Sequence, residues 1–423
     1  MKLPPANRVI LVCGLLAFGL QPQFSSAAAP RPTVILLSWD GVRHDALERF
    51  VLPNLRRLAN GGVRGDLLSV MPSKTFPAHV SLATGVSPHT HGIIDNYFFD
   101  RVRGWYRMAD AADWLDAEPL WITAQRQGLE TATYFWVGSE RDWRGQRQRY
   151  REAPFDADRT EAVKVDRILE WLALPPAKRP QLIMGYFRGG DAAGHRYGPL
   201  ASEVGEALVT QDAELGRLID GIETGLGWEQ VTLLIVSDHG MTEAGEYVPV
   251  AETLAAAGID AVVSGSTLGH VFLNDPAQAP EAARLIRELD SRIEVYRSDA
   301  APQSWALSHP DRTGDLVLAV PAPLVLWMAD GLQGMVTRTL WRLGRRFGGH
   351  GYDPLTPDMK ALMLAYGRGT AGRAGEHLKD VDPLRVVPTV CRLLAIEPSA
   401  AATAVPFLTP PIPAAVQSPS SAR

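Results

Sequence analysis

The sequence is poor in cysteine and lacks long apolar runs. Its 423 residues include only two cysteines, which excludes a fold held together by a network of disulfides. No apolar run reaches the roughly 20 residues that a membrane-spanning helix needs. No block of like charges accompanies the formal net charge of −5, so we do not expect a surface that coats nucleic acid. What is present, 46% hydrophobic and 21% charged residues, is typical of a globular protein with a substantial core. The composition does not indicate the oligomeric state.

The first thirty residues carry the pattern of an export signal. A basic start with Lys2 and Arg8 precedes the apolar stretch Val9–Leu20, and small residues follow at Ser26–Ala29. We predict a signal peptide at residues 1–28 and therefore a periplasmic or secreted protein with no transmembrane span. An uncleaved anchor is the alternative, for which the apolar stretch is too short. At the other end, residues rich in Pro, Ser and Ala predict a disordered tail at 405–423.

Short buried strands alternate with amphipathic helices between these ends, which is typical of an α/β domain built on a largely parallel sheet. The predicted strands are Thr33–Ser38, Gln181–Phe187, Val231–Ser237, Leu316–Val320 and Ala361–Ala365. The predicted helices include Leu52–Asn60, Thr160–Leu172 and Ser202–Thr224. We predict one domain over residues 31–400, with insertions at 95–148, 247–300 and 323–346. The last of these is rich in Trp and Arg and is a lid, a membrane-contacting helix or an ordinary amphipathic helix.

Three of the predicted strands end near an acidic residue. Asp40 follows the first strand, Asp191 the second and Asp238 the third, where His239 comes next. A single Asp after a strand is commonly a turn or helix-cap residue. Ligands of open α/β sheets bind outside the carboxyl ends of the strands, so three acids at such ends indicate a binding site.

Histidines complete the set of candidate metal ligands. His195 lies four residues after Asp191, a spacing that places both on one face of a helical turn. His350 stands between glycines in Phe347–Asp353. Mixed oxygen and nitrogen ligands favour zinc, or else manganese or iron, over calcium or magnesium. Three carboxylates and three imidazoles are too many for one catalytic zinc and suit two ions, which can clamp a phosphoryl group during its displacement.

Two hydroxyls before a predicted helix are candidate nucleophiles. Ser73 and Thr75 precede the helical stretch Val80–Thr84. A helix cap is the alternative for both hydroxyls. A helix N-terminus also favours a phosphate group, and a metal ion lowers the pKa of a bound hydroxyl.

Five short motifs, each weak alone, follow one another along the chain. They are Lys74–Pro77 (KTFP), Gly92–Asn96 (GIIDN), Asp191–Pro199 (DAAGHRYGP), Ser237–Met241 (SDHGM) and His350–Asp353 (HGYD). In this order they make the sequence resemble the nucleotide pyrophosphatase/phosphodiesterase family of the alkaline phosphatase superfamily, over about Thr33 to Pro398. The resemblance implies an alkaline-phosphatase-like α/β fold, in which helices flank a largely parallel sheet and cap or subdomain segments are inserted.

The resemblance also implies two zinc ions and a role for each site residue. The ligands of one zinc would be Asp40, Asp238, His239 and the hydroxyl oxygen of Thr75, and those of the other Asp191, His195 and His350. Thr75 would attack phosphorus and form a phosphothreonine intermediate. Asn96, together with backbone N–H groups near Thr75, would donate to a nonbridging phosphate oxygen. A turn amide is the alternative for Asn96.

Two aromatic residues are candidates for the substrate-binding walls. The resemblance implies that Phe76 stacks on a substrate base, and Tyr186 would form the opposite wall. A place in the core is the alternative for both. Many relatives carry an acid and a proline just before the ligand that corresponds to Asp191, whereas this chain has Arg188–Gly190. This departure leaves the preference for a leaving group open.

We therefore expect an exported phosphodiesterase with two zinc ions, or other divalent transition metals, that cleaves nucleotide phosphodiester or pyrophosphate bonds. Its products would be nucleoside 5′-monophosphates. The same chemistry on a glycerophosphodiester or lysophospholipid is an alternative, with Trp residues forming a cage for choline. An exported metal-binding protein without catalytic activity is an alternative of another class.

Overall fold

A large sheet with helices on both faces forms the body of the molecule, and a smaller antiparallel sheet is inserted in its second half. The computed structural model describes Met1 and residues 31–307, 309–326 and 331–408, with only the backbone of residues 331–335 and 338. The rest of the predicted signal peptide at 1–28, and residues 409–423 of the predicted tail, lie outside the described residues.

Strands and helices alternate along much of the described chain. The strands are β1 Thr33–Trp39, β2 Val63–Leu67, β3 Tyr97–Asp100, β4 Gly104–Arg107, β5 Thr131–Tyr134, β6 Tyr150–Glu152, β7 Leu182–Phe187, β8 Val231–Val236, β9 Thr242–Ala244, β10 Glu246–Tyr247, β11 Ala261–Ser264, β12 Leu268–Leu273, β13 Glu294–Arg297, β14 Leu316–Ala319, β15 Leu324–Val325, β16 Phe347–Gly349, β17 Ala361–Gly367 and β18 Glu376–Val381. The helices are α1 Ala46–Arg49, α2 Pro53–Gly61, α3 Thr75–Thr84, α4 Pro88–His91, α5 Leu120–Arg126, α6 Glu161–Leu172, α7 Asp191–Tyr197, α8 Ser202–Thr224, α9 Val250–Ala256, α10 Ala279–Leu289, α11 Gly331–Arg342 and α12 Val386–Leu394.

Eight strands form the central sheet, in the order β18-β2-β17-β8-β1-β7-β5-β6. Strand β17 alone opposes the others, because it pairs antiparallel with both β2 and β8 while every other pair in this sheet is parallel. The predicted fold class, an α/β fold with a largely parallel sheet flanked by helices, is confirmed.

Alternate side chains of β1 enter two different cores, because successive residues of a strand point to opposite faces of the sheet. Val34 and Leu36 pack on the face covered by α3, α5 and α12, and Ile35 and Leu37 pack on the face covered by α2, α6 and α8. All seven residues of β1 are buried, as a central strand covered on both faces requires. Cys391 of α12 lies in the first core, where burial raises the pKa of its thiol to about 12.

Four antiparallel strands form the second sheet, in the order β11-β12-β14-β13, and it packs with α9 and α10 around its own core. The predicted insertion at 247–300 supplies three of these strands, and β14 lies beyond it. The strand predicted at Leu316–Val320 therefore belongs to the second sheet, outside the α/β alternation. Short buried apolar strands of both sheets have the same kind of sequence, so the pattern alone does not assign them.

The predicted insertion at 95–148 contains two kinds of structure. Strands β3 and β4 form a hairpin apart from the other sheets, whereas β5 pairs with β7 in the central sheet. In the predicted insertion at 323–346, β15 pairs with β10 and α11 follows, while Trp327 lies outside the described residues. No helix in the described part of the chain is both long enough and apolar enough to cross a bilayer.

Candidate active site

Three neighbouring strands bring four predicted ligands to one edge of the central sheet. Strands β8, β1 and β7 lie side by side and run parallel. Asp40 follows β1, Asp238 and His239 follow β8, and Asp191 comes four residues after β7 ends. Because the carboxyl ends of parallel strands meet at the same edge, these side chains converge there.

A helix and a two-stranded ladder place the two remaining histidines. Asp191 is the first residue of α7, and His195 follows one turn later on the same face. His350 comes directly after β16, which pairs antiparallel with β9. Since β9 begins three residues after His239, this ladder brings His350 to the same edge of the sheet.

The six side chains form two adjacent groups, in each of which the ligand atoms lie within 4.8 Å of one another. The first group is Asp40, Asp238 and His239, and the second is Asp191, His195 and His350. The imidazoles of His239 and His350 stack, with 3.6 Å between their centroids. The first group is fully buried, whereas 44% of the His195 side chain is exposed, so solvent reaches the second group.

The polar atoms of both groups face one another in a way that suits a cation. Among the described residues, no well-aligned hydrogen bond reaches the buried atoms Asp40 Oδ1, Asp191 Oδ1 and Asp238 Oδ2. Imidazole Nε2 atoms of the two groups lie 3.6, 3.2 and 3.1 Å from these three oxygens. Each imidazole directs Nδ1 at a backbone carbonyl oxygen, at 2.8 Å for His239 and 2.9 Å for both His195 and His350. In the neutral ring this contact holds the proton on Nδ1, and the Nε2 lone pair then faces the acids. Unpaired oxygen and nitrogen lone pairs in this arrangement fit transition-metal ions.

The acids and imidazoles of the two groups also shift one another's pKa. Burial raises the pKa of Asp40 well above its usual range, and the carboxylates of Asp238 and Asp191 raise it further. Burial also acts to raise the pKa of Asp191, but the charge of His195 outweighs it and lowers this pKa to about 2. The acids in turn raise the pKa of His195 and His239, although burial of these rings opposes that shift. Burial lowers the pKa of His350, so its ring is neutral at pH 7 and available as a ligand.

Thr75 lies beside the first group as the first residue of α3. Its hydroxyl oxygen is 3.3 Å from Nε2 of His239. Ser73, the other hydroxyl considered, is fully buried and donates to the carbonyl oxygen of Tyr352 at 2.8 Å. Neither hydroxyl caps the helix, because Lys74 occupies the cap position.

Asn96 is fixed against the start of α3. Its Oδ1 accepts a hydrogen bond from the backbone N–H of Phe76 at 2.9 Å. Pro77 has no N–H, so Thr75 carries the remaining backbone donor at this helix start. The resemblance implies backbone N–H donors to phosphate near Thr75. In this structure Asn96 already occupies the N–H of Phe76, which leaves the N–H of Thr75 for that role.

A cavity of about 360 Å³, which we call the aromatic cavity, opens beside Thr75. Phe76 and Tyr186 both line it, and the cavity also touches Phe155. The hydroxyl of Tyr186 donates to Oδ2 of Asp40 at 2.6 Å. Burial and the nearby Asp40 carboxylate raise the pKa of this phenol well above its usual range, so the hydroxyl remains a donor. Both predicted wall residues also pack against the cores of the central sheet.

The glycine at position 189 of the Arg188–Gly190 segment lies against the backbone of Asp40. Gly189 has a φ of +55°, and a Cβ at this position would lie 2.1 Å from the backbone oxygen of Asp40. That oxygen accepts hydrogen bonds from the N–H groups of Gly190 and Asp191, at 3.0 and 3.2 Å. The absence of a side chain at Gly189 thus lets the loops that carry two acidic ligands pack against each other.

The sequence that builds this site also matches a known protein family. The model of the type I phosphodiesterase / nucleotide pyrophosphatase family matches residues 34–353. The chain belongs to this family. The resemblance inferred from the five motifs is confirmed.

Family members from different organisms are similar over most of the chain. An uncharacterised pyrophosphatase/phosphodiesterase of Schizosaccharomyces pombe is 33% identical over 82% of this chain and 73% of its own length. Venom phosphodiesterase 2 of Crotalus adamanteus is 29% identical over 86% of this chain, and ectonucleotide pyrophosphatase/phosphodiesterase family member 3 of Bos taurus is 28% identical over 87%. The chain spans 46% and 42% of these two longer relatives.

Solved structures of the family share the fold. Human ectonucleotide pyrophosphatase/phosphodiesterase 5 superposes with a TM-score of 0.77 at 23% identity and covers 87% of this chain and 96% of its own. The murine protein of the same name was solved as an inactive threonine-to-alanine variant in complex with AMP, with a TM-score of 0.76 at 23% identity.

His79 is a site residue that sequence reasoning missed. Its sequence neighbours include no acid, yet its Nδ1 lies 3.3 Å from Oδ2 of Asp238 and its Nε2 lies 2.6 Å from the hydroxyl of Ser38. The ring is fully buried and packs edge-on against Tyr186. His79 follows Thr75 by four residues on α3, and this helical spacing was the signal that could have found it.

We expect Gly189→Ala to disturb the ligand loops, because the new Cβ would overlap the backbone of Asp40. The matched control is Gly128→Ala, where φ is +80° but nothing lies within 4 Å of the added Cβ. The control should lose about 1–2 kcal/mol in free energy of unfolding from its backbone conformation alone. Gly189→Ala should lose more and should also bind less transition metal, as measured by urea unfolding and elemental analysis. Equal metal content in the two variants would contradict this assignment.

Proposed function

We propose that this chain is a metal-dependent phosphodiesterase and nucleotide pyrophosphatase that uses Thr75 as its nucleophile. The observation that carries the proposal is the Thr75 hydroxyl, 3.3 Å from His239 Nε2 beside the two ligand groups and open to the aromatic cavity. The names of the venom and bovine relatives, and the AMP complex of the murine one, support this activity.

Two zinc ions, or similar divalent transition metals, are the proposed cofactors. Asp40, Asp238, His239 and the Thr75 hydroxyl would hold one, and Asp191, His195 and His350 the other. Bound there, the ions would lower the pKa of the Thr75 hydroxyl and offset negative charge on the phosphoryl group. The unpaired buried carboxylate oxygens support this assignment.

The covalent steps follow from the position of Thr75. Its Oγ1 loses its proton to solvent and forms a bond to phosphorus, while the bond from phosphorus to the leaving oxygen breaks and its electron pair stays on that oxygen. This yields a phosphothreonine that carries the nucleoside half of the substrate. Water then attacks the same phosphorus and loses a proton, the bond to Oγ1 breaks, and Oγ1 takes up a proton as the nucleoside 5′-monophosphate leaves. The exposed side of His195 supports entry of this water from solvent.

Asn96 is the proposed donor to the phosphoryl group. The bond from the Phe76 N–H to Oδ1 fixes the orientation of the amide. The Nδ2 group of the same amide is thereby left to donate to a nonbridging oxygen. A donor held in place before the reaction stabilises developing charge without reorganisation.

Replacing Thr75 tests the nucleophile. We expect Thr75→Ala to lower kcat/KM for thymidine 5′-p-nitrophenyl phosphate by roughly 1,000-fold or more, with bound metal still present. Thr75→Ser keeps a hydroxyl and should retain measurable activity, and Thr90→Ala, at an exposed threonine of α4, serves as control. Chelation of the metal should abolish the activity of all active forms. An Ala variant as active as wild type, at equal metal content, would exclude Thr75.

A glycerophosphodiester is the second candidate substrate, and the acids of the aromatic cavity favour it. Asp110, Glu140 and Glu152 line the cavity together with its aromatic rings. Arg141 and Arg167 pair with Asp110 and Glu152, so Glu140 and the rings are the groups that would attract a quaternary ammonium group. Nucleosides also stack on such rings, and the murine AMP complex supports them as first choice. We expect kcat/KM for the thymidine ester to exceed that for glycerophosphocholine, measured side by side. The opposite order would make the lipid-derived diester the substrate.

We further propose that the protein is exported and that residues 31–400 form its catalytic domain, with the signal at 1–28 removed. The basic start and apolar stretch of the first thirty residues support this. N-terminal sequencing of the protein recovered from the periplasm or medium should begin near residue 29. Recovery of the chain from the cytoplasm with Met1 in place would contradict export.

A further inference from the structure

An arginine-rich segment with exposed apolar side chains lies between the second sheet and His350. Residues 331–352 include no Asp or Glu and four arginines, Arg338, Arg342, Arg345 and Arg346. We call residues 336–347, which comprise the second half of α11 and the turn after it, the docking segment. We propose that the docking segment binds an anionic phospholipid membrane and that a cavity beside it takes a head-group phosphate. This goes beyond the proposed function, because membrane binding requires no catalysis.

Helix α11 ends in a turn that faces open space. The N–H of Gly344 donates to the carbonyl oxygen of Trp341 at 2.9 Å, and the N–H of Arg345 donates to that of Leu340 at 3.0 Å. These two bonds, with Gly344 at a φ of +84°, form the Schellman motif that commonly ends a helix. Nothing lies within 4 Å of a Cβ added at Gly344, so the turn is free to contact another surface.

Two apolar side chains are exposed on one face of this helix end. Val336 is 50% exposed and Leu343 is 78% exposed. They are seven residues apart, which places them on the same helical face two turns from each other. Single exposed apolar residues are common on soluble proteins. Two on one face, with arginines around them, are typical of a helix that lies in the interface of a bilayer.

The arginines of the docking segment differ in their partners. Arg346 donates to Glu246 at 2.9 Å and to the carbonyl oxygen of Gly245 at 2.6 Å, which fixes the segment to the body of the protein. Arg342 and Arg345 are exposed and have no carboxylate partner among the described residues, and the Arg345 guanidinium lies 5.4 Å from the ring of Phe347. A negatively charged membrane surface attracts such unpaired cations.

A cavity of about 320 Å³, which we call the basic cavity, lies beside α11. Its described lining consists of Gly245, Glu246, Tyr247, Trp341, Arg342 and Arg346. Nε1 of Trp341 is buried and has no acceptor among the described residues. Glu246 is the one acid in this lining, and Arg346 and Arg292 offset its charge at 2.9 and 2.8 Å. A phosphate oxygen would accept from the indole N–H and from the Arg342 guanidinium.

The apolar side chains select a membrane over other anionic partners. A nucleic acid or a soluble phosphate would leave Val336 and Leu343 in water, whereas the head-group region of a bilayer takes Arg, Trp and apolar side chains together. The docking segment leads into β16 and then His350, seven residues after Leu343. Docking would therefore hold the second ligand group within about 25 Å of the membrane, the reach of seven extended residues.

Sedimentation with sucrose-loaded vesicles tests the charged part of this surface. We expect the protein to bind vesicles of phosphatidylcholine and phosphatidylglycerol, to bind pure phosphatidylcholine roughly tenfold more weakly, and to lose affinity as salt is added. Arg342→Gln/Arg345→Gln should lower the partition coefficient for the anionic vesicles by roughly tenfold or more, since each basic residue near such a surface contributes about fivefold. The matched control is Arg147→Gln/Lys178→Gln, which removes the same charge at exposed positions elsewhere.

Two further variants test the apolar face and the basic cavity. Leu343→Ser should lower the same partition coefficient, whereas Val51→Ser, at a valine that is 81% exposed outside the docking segment, should leave it unchanged. Trp341→Phe keeps an aromatic ring but removes the N–H, and should weaken binding to the anionic vesicles. Unchanged urea unfolding of each variant shows that its fold is intact.

Each outcome supports or overturns the membrane surface. Wild-type protein that does not sediment with anionic vesicles would overturn it, as would equal losses in the charge control. Complete displacement by inorganic phosphate, with Leu343→Ser binding like wild type, would make the basic cavity a site for soluble phosphate instead. A dimer that forms without vesicles and dissociates in Leu343→Ser would make a second copy the occupant. Losses confined to the docking-segment variants support the proposal.

Discussion

Repulsion between three carboxylates in one buried place is the constraint on which the rest of the site depends. Asp40, Asp191 and Asp238 converge because the strands that precede them are parallel neighbours. Removing such charges from water is costly unless positive charge balances them. Each of the three imidazoles around them directs Nδ1 at a backbone carbonyl oxygen and turns Nε2 towards the acids. The fold therefore maintains a concentration of negative charge that only cations offset fully.

Supporting contacts reach outward from these acids in several directions. Tyr186 donates to Asp40. The ring of His79, held between the backbone oxygen of Thr75 and the hydroxyl of Ser38, lies 3.3 Å from Asp238. Both residues come from elements whose remaining side chains pack in the cores of the central sheet. The orientation of the acids thus depends on core packing, and Tyr186 connects one acid to the wall of the aromatic cavity. Such outer contacts set the geometry and basicity of metal ligands.

The sequence predicted the parallel sheet and the clustering of acids because both follow from local patterns. Strand ends such as Asp40 and Asp238 can be found by inspection, and parallel topology then brings them together. The contact of His79 could not be predicted in the same way, because it joins α3 to the end of β8 across the core. The bond between Phe76 and Asn96 likewise depends on where a turn lies in space. The assignment of β14 to the second sheet required the pairing partner, which composition does not reveal.

The position of His350 has a consequence for the unfolded chain. Its Nε2 lies 3.1 Å from that of His195, although 155 residues separate the two, and the whole second sheet is inserted between them. A bond network through a shared ion would close a loop of this length and remove many conformations from the unfolded ensemble. In secreted proteins that role commonly falls to a disulfide. Here the only cysteine in the described chain is buried in the core. An ion held by both histidines would serve in place of such a covalent cross-link.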